Sequence, residues 1–323
     1  MTEIHYISYY NCFEMLLDAL LKKKNIDIKY LFKRPSLFIE KNLDSPYPIL
    51  QSKIQNIKDT MKECNIIGEY MYLDNFASAY DFVRYMEKIS ENGSCGTSLS
   101  TYSIPYSPHF HKLGDVSYNQ LHMFQIEKIE KDKIFIVDHF YQYAYTVSIK
   151  EYINMINETV LQNDKHAIFT YSIKNNVYTL PKDCYNQIQR YYFDMNLRED
   201  NSRIYGLHAL QSIIEFVKAR ENKYFVNENI ENSYEFSEMF KNISDAQYQF
   251  GEFLMLFHHI ELSQKFSKLG QMWLVLSNLF LKAYLGNEYN NLKGKIISCL
   301  NSILQYQKSI IAFIKIHIMQ NYA

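Results

Sequence analysis

From residue 121 to residue 138 the chain adopts a two-residue alternation and a β-rich composition. Beyond residue 181 apolar residues instead recur every three to four positions, and no strand-like run returns. A chain with one such switch must carry its sheet early and its helical packing late. The expected fold is therefore α+β, with a sheet-bearing domain at 1–178 followed by an all-helical domain at 179–323 and a boundary in 175–181. Within the first domain, strands are expected at 121–129, 133–139 and 166–173, and helices at 52–63, 78–89 and 149–161, the last opened by Ser148; 91–108 reads as loop or irregular strand. The helical region divides into candidates at 183–195, 204–219, 233–266, 269–285 and 292–319.

The N-terminal region adds one more helix. Phe13, Leu16, Leu17, Leu20 and Leu21 form a single apolar stripe, Asn11 is a favoured N-cap, and Lys22, Lys23 and Lys24 close the segment where cations suit the helix dipole. Cys12 then falls in the first turn, where free amides and the positive end of the dipole stabilise a thiolate. A buried hydrophobic role is the competing reading for a lone cysteine. Five cysteines in all, Cys12, Cys64, Cys95, Cys184 and Cys299, are spread without a CxxC pair, which points away from a disulfide framework and toward a reducing cytoplasm.

A nucleophilic cysteine needs an imidazole, itself oriented by a carboxylate or amide. His122 and Asp138 lie on what reads as one hairpin. If Glu130, Lys131 and Asp132 form a three-residue loop, Ile129 pairs with Lys133, His122 falls opposite Phe140 and Asp138 opposite Phe124. The two side chains then share a face as diagonal neighbours, about 7 to 8 Å apart. A two-residue loop would throw Asp138 onto the other face.

This layout, an early helix-capping Cys followed by a His and a carboxylate on successive strands, resembles the papain-like cysteine enzymes. Asn11-Cys12 opening a helix, then "LHMFQIEKIEKDKIFIVDHF" and a short helix, then "YGLHALQSIIEFV" and "GQMWLVLSNLFLKAY", is similar to the BtrH-type acyltransferases of butirosin biosynthesis and to the cysteine-protease homologues that form amides in closthioamide-type assembly lines. The resemblance implies a papain-like N-terminal domain. It also implies an acyltransferase of natural-product biosynthesis that takes an acyl group from a thioester on the phosphopantetheine arm of an acyl or peptidyl carrier protein, passes it through Cys12, and delivers it to a small amine as an amide. His122 would be general base and acid and Asp138 its orienter, with no metal or organic cofactor. A cysteine peptidase or amidase would share these residues; a non-catalytic helical interaction protein would use none of them.

The sequence departs from the papain pattern in having no Gln shortly before the Cys. Asn11, Tyr6 and Tyr10 are the side-chain candidates for an oxyanion donor beside the Cys12 amide, although core packing is the commoner use of such aromatics. The run Lys22, Lys23, Lys24, Lys29, Lys33 and Arg34 could receive an acidic carrier protein or could be a solvated helix end. The helical domain and the Tyr-rich segment at 102–118 are expected to wall the site. A net charge of -1 argues against nucleic acid, and neither a signal peptide nor an apolar run long enough for a membrane is expected. His109 with His111, and His258 with His259, lack a third partner for a metal. Apolar residues of the last helix suggest burial or a homodimer interface.

Overall fold

In the computed structural model the described residues are 4, 6–33, 36–41, 48–53, 57–91, 93–112, 120–162, 168–173, 184–219, 222–225, 229 and 231–319. Along the chain run α1 (Cys12–Lys22), β1 (Ser36–Glu40), β2 (Leu50–Lys53), α2 (Ile57–Glu63), β3 (Gly68–Tyr72), α3 (Ala79–Ser90), β4 (Cys95–Ser100), β5 (Leu121–Glu130), β6 (Lys133–Asp138), β7 (Tyr143–Ser148), α4 (Ile149–Gln162) and β8 (Phe169–Ile173). They are followed by α5 (Cys184–Asn196), β9 (Arg203–Tyr205), α6 (Gly206–Ala219), α7 (Glu231–Leu256), α8 (Ile260–Gly286) and α9 (Tyr289–Ile314). The chain is mixed α and β, its sheets are antiparallel, and its C-terminal region is largely helical.

Two compact units emerge, one of Met1–Ile28 with Met61–Thr179 and one of Lys29–Thr60 with Leu180–Ala323. The first unit is thus interrupted rather than a single run to residue 178. The second is not all-helical: β1 pairs with both β2 and β9, with Phe38 opposite Tyr205, so an early segment supplies the strands that β9 joins. The expected helix at 52–63 is correspondingly shorter, because Leu50–Lys53 is strand and only Ile57–Glu63 is helical. The expected linker at 175–181 lies outside the described residues.

The first unit is built on a six-stranded antiparallel sheet of order β3-β8-β4-β5-β6-β7. Leu16 of α1 sits against Gly96 of β4, where any added Cβ would come within 2.2 Å of the leucine side chain. Cys95, the residue before it, points the opposite way into a core of Phe82, Val83 and Met86 from α3 and Tyr152, Met155 and Ile156 from α4. Helices thus cover the sheet on both faces, and Gly96 lets α1 approach closely.

β4 occupies part of what reads as loop in the sequence. All six of its residues are buried, and Cys-Gly-Thr-Ser-Leu-Ser lacks the alternation that marks a half-exposed strand. The β5-β6 turn also differs from expectation. Glu130 pairs with Lys133 across only two residues, Lys131 (φ 50°) and Asp132 (φ 65°), a left-handed pair typical of tight hairpins. A bulge between Ile126 and Lys128 then restores the expected register, with Gln125 opposite Val137 and Ile126 opposite Ile136. The extra residue sits in the strand, not in the turn.

In the second unit α7 and α8 lie side by side, with Phe236, Phe240, Trp273 and Phe280 fully buried between elements. The continuous helix expected at 233–266 breaks at 257–259. His258 takes a left-handed conformation (φ 59°), its amide bonds to Met255 and that of His259 to Leu254, which closes the helix as a Schellman cap. Asn25, Asn65 and Asn287 occupy the same left-handed position after α1, α2 and α8, the role glycine usually takes. The apolar stripe of α9 is buried through Ile296, Leu300, Ile303, Ile310 and Ile314. Among the described residues no helix is long and apolar enough to cross a membrane.

Candidate active site

Asn11 opens α1 through a reciprocal pair of bonds: its Oδ1 accepts the Glu14 amide at 2.9 Å, and its own amide donates to Glu14 Oε2 at 2.8 Å. This capping box rigidly places the next residue, Cys12, in the first turn. Cys12 is half-buried, whereas Cys64, Cys95 and Cys184 are buried; no disulfide joins any of the five. The dipole and free amides of an eleven-residue helix therefore act at a residue that is only half-buried.

His122, the second residue of β5, is 3% exposed and Asp138, the last of β6, is fully buried. His122 Nε2 lies 2.7 Å from Asp138 Oδ2. The bulge makes this contact available: continued from Gln125 opposite Val137, the register sets Asp138 opposite Phe124, two residues from His122 on the same face. The Cys12 side chain lies near enough to act on the same imidazole, favouring its charged form. Since Nε2 is engaged by Asp138, Nδ1 is the atom left to face the thiol. All three residues belong to the first unit.

Burial works against the His122 cation, yet the hydrogen bonds and charges of Asp138 and Cys12 outweigh it and raise the imidazole from 6.5 to about 9. The folded value lies above the unfolded one, so this contribution to stability is fully present below about pH 6.5 and is lost as pH rises through about 9. Urea unfolding of the protein against His122→Gln should accordingly give a stability difference that shrinks by a few kcal/mol between about pH 6 and pH 10. A difference that grows with pH would contradict the assignment.

Asp138 is filled on both oxygens. Oδ1 accepts the backbone amides of Phe140 and Tyr141, each at 3.0 Å, while Oδ2 accepts Tyr106 Oη–H at 2.9 Å in addition to the imidazole. The rings of Tyr141 and Phe140 stand 4.5 and 5.5 Å from that of His122. Tyr106 packs in turn on Tyr141, Tyr143 and Tyr145. Neither Tyr106 nor Tyr141 stands out in the sequence as a partner of Asp138; Tyr106 is merely one of several tyrosines in 102–118, of which 113–118 lie outside the described residues.

Of the oxyanion candidates, Asn11 directly precedes the sulfur and its Oδ1 is committed to the cap, Tyr10 is buried against Tyr9, and Tyr6 is exposed. The basic run is dispersed. Lys22 pairs with Asp18, Lys23 with Glu127 and Lys29 with Glu252, and Lys33 is buried; Lys22, Lys23 and Lys24 belong to one unit, Lys29 and Lys33 to the other. Lys23 and Lys24 line, with Lys88, a cleft of about 410 Å³ at the C-terminal ends of α1 and α3, where lysines also answer the helix dipoles. Arg34 lies outside the described residues. His111 pairs with Glu158, His258 and His259 form the α7-α8 turn, and among the described residues no three His, Cys, Asp or Glu side chains converge as metal ligands.

A thiol, an imidazole and a carboxylate in series can activate sulfur for attack on an acyl carbon and return the proton to a leaving group. No family model matches the chain, and no curated protein matches its sequence.

Proposed function

We propose that this chain is a papain-like, cysteine-dependent acyltransferase of the cytoplasm. The observation that carries the reading is the buried His122–Asp138 pair at 2.7 Å, with Cys12 in the first turn of α1 acting on the same imidazole. In the proposed cycle the Cys12 thiolate attacks the carbonyl carbon of an acyl thioester; the sulfur-carbon bond forms and the donor thiolate leaves, taking a proton from the His122 imidazolium. The now neutral His122 accepts a proton from an incoming amine as its nitrogen attacks the acyl-enzyme. An amide forms and Cys12 leaves as thiolate beside the imidazolium, which restores the starting state. The Cys12 amide is one oxyanion donor, and Asn11, adjacent in sequence, is the side-chain candidate for a second.

The donor in this reading is a carrier-protein thioester and the acceptor a small amine, as the resemblance to BtrH-type enzymes implies. With Lys22, Lys23 and Lys29 paired to carboxylates, Lys24 and the cleft it shares with Lys23 and Lys88 are the part of that run best suited to meet an acidic carrier. Hydrolysis would use the same three residues with water in place of the amine. Incubation with an acyl-pantetheine thioester and a panel of primary amines separates the two by product: amide is expected, and free acid alone, at every amine concentration, would make the chain a thioesterase or amidase instead.

A further inference from the structure

We infer that Tyr106 is a positioning residue which sets the basicity of His122 through Asp138. This rests on the proposed Cys12–His122–Asp138 series but is tested on the imidazole itself. The two oxygens of Asp138 have different tasks. Oδ1 is pinned by two backbone amides of the segment that follows β6, so the carboxylate plane cannot turn. Oδ2 is shared by the Tyr106 hydroxyl at 2.9 Å and His122 Nε2 at 2.7 Å.

Two donors on one oxygen compete for its charge. Each bond the phenol makes weakens Oδ2 as an acceptor for the imidazole and so limits how firmly Asp138 holds the imidazolium. The phenol is suited to a permanent donor role. Burial first, and the adjacent Asp138 charge second, push its ionisation well above the usual 10.0, so it keeps its proton throughout the range in which His122 titrates. Its ring is fixed against Tyr143 (stacked, 4.7 Å) and Tyr145 (edge-on, 4.8 Å), which sets the direction of the hydroxyl. The neighbour Ser107 is buried, and Ile104 on the other side belongs to the α3-α4 core, so the segment that bears the phenol is anchored at both sides.

The consequence has a sign. Tyr106→Phe keeps the ring and removes the donor, leaving Oδ2 wholly to His122; the imidazole should then titrate higher by about 0.5 to 1 pH unit. Replacing Tyr106 with 3,5-difluorotyrosine, a more acidic and stronger donor of nearly the same shape, should move the titration downward. A residue that merely fills space would leave the titration in place or disturb it in the same direction in both variants. Tyr143→Phe is the packing control, because Tyr143 stacks on Tyr106 and has no bond to Asp138 among those described. The readout is the NMR titration of the His122 ring in isotopically labelled protein, which needs no substrate; the pH dependence of Cys12 alkylation follows it in parallel. Opposite shifts in the Phe and difluorotyrosine variants support the inference, and unchanged or parallel shifts overturn it. If the titration behaves as stated while no acyl transfer is found, the proposed activity fails and the role of Tyr106 stands.

Discussion

If the proposed function holds, Cys12→Ala should abolish acyl transfer, a fall on the order of 10⁴-fold or more, while the thermal midpoint moves by a few degrees at most. The size of the chemical effect follows from nucleophilic catalysis: without sulfur, no acyl-enzyme forms, and only positioning and oxyanion stabilisation remain. The small structural effect follows from location. Cys12 occupies the first turn of α1, which is held by the Asn11–Glu14 capping box and by the buried Leu16, Leu17, Leu20 and Leu21, none of which the substitution touches. Alanine is moreover the best helix former. Intact mass after exposure to an acyl thioester checks the first half: one acyl adduct on the protein and none on the variant. A scanning calorimetry trace checks the second.

Substitution of Asp138 damages both activity and fold. In Asp138→Ala the amides of Phe140 and Tyr141, the Tyr106 hydroxyl and His122 Nε2 all lose their acceptor at a fully buried position. Donors left unsatisfied there cost roughly 3 to 5 kcal/mol in sum, a large share of the stability of a typical protein. Asp138→Asn is the sharper probe. Its oxygen can serve the two backbone amides only if its amide NH₂ faces the imidazole, which forces the proton of His122 onto the nitrogen that should face sulfur. Turning the side chain over would satisfy His122 and set NH₂ against two N–H groups. Either orientation leaves a conflict, so activity should fall by about 10² to 10⁴ while stability falls less than in the alanine variant. Equal stability losses in the two variants, or an Asn variant of full activity, would refute this division of labour between the two oxygens.

How much of this was legible in the sequence depended on the range of each interaction. The start of α1 is local: a cap, an apolar stripe and terminal lysines all fall within about fourteen residues, and the helix begins at Cys12 as the sequence suggests. The capping box is local too: Glu14 stands three residues after Asn11, the spacing such a box requires. The hairpin was legible in a different way. Its expected register for Gln125 and Ile126 is found, but by another route, because the residue assigned to the loop is used in a bulge near Glu127. Turn length and bulge compensate exactly one residue against one residue, and nothing in Glu-Lys-Asp marks a tight turn of the usual Asn-Gly kind.

Non-local partners left weaker marks. β4 is buried throughout by helices and neighbouring strands, so it has no polar face to write an alternation into its sequence. β1 is recognisable as a strand only through β2 and β9, the latter well over a hundred residues downstream. Tyr106 reaches Asp138 across thirty-two positions from an irregular segment, where neither period nor cap identifies a side chain. The signal that could have raised it is chemical: a buried carboxylate has more lone pairs than one histidine can fill, and a nearby tyrosine is a natural second donor.

The most direct test of the central claim, that sulfur, imidazole and carboxylate act as one unit, is site-resolved alkylation with iodoacetamide, followed by peptide mass spectrometry on all five cysteines. The account predicts that Cys12 is modified first at about neutral pH, at least 10-fold faster than half-buried Cys299, and that His122→Ala brings its rate down to that of Cys299. A Cys12 that reacts no faster than Cys299, or whose rate ignores the loss of His122, would contradict it.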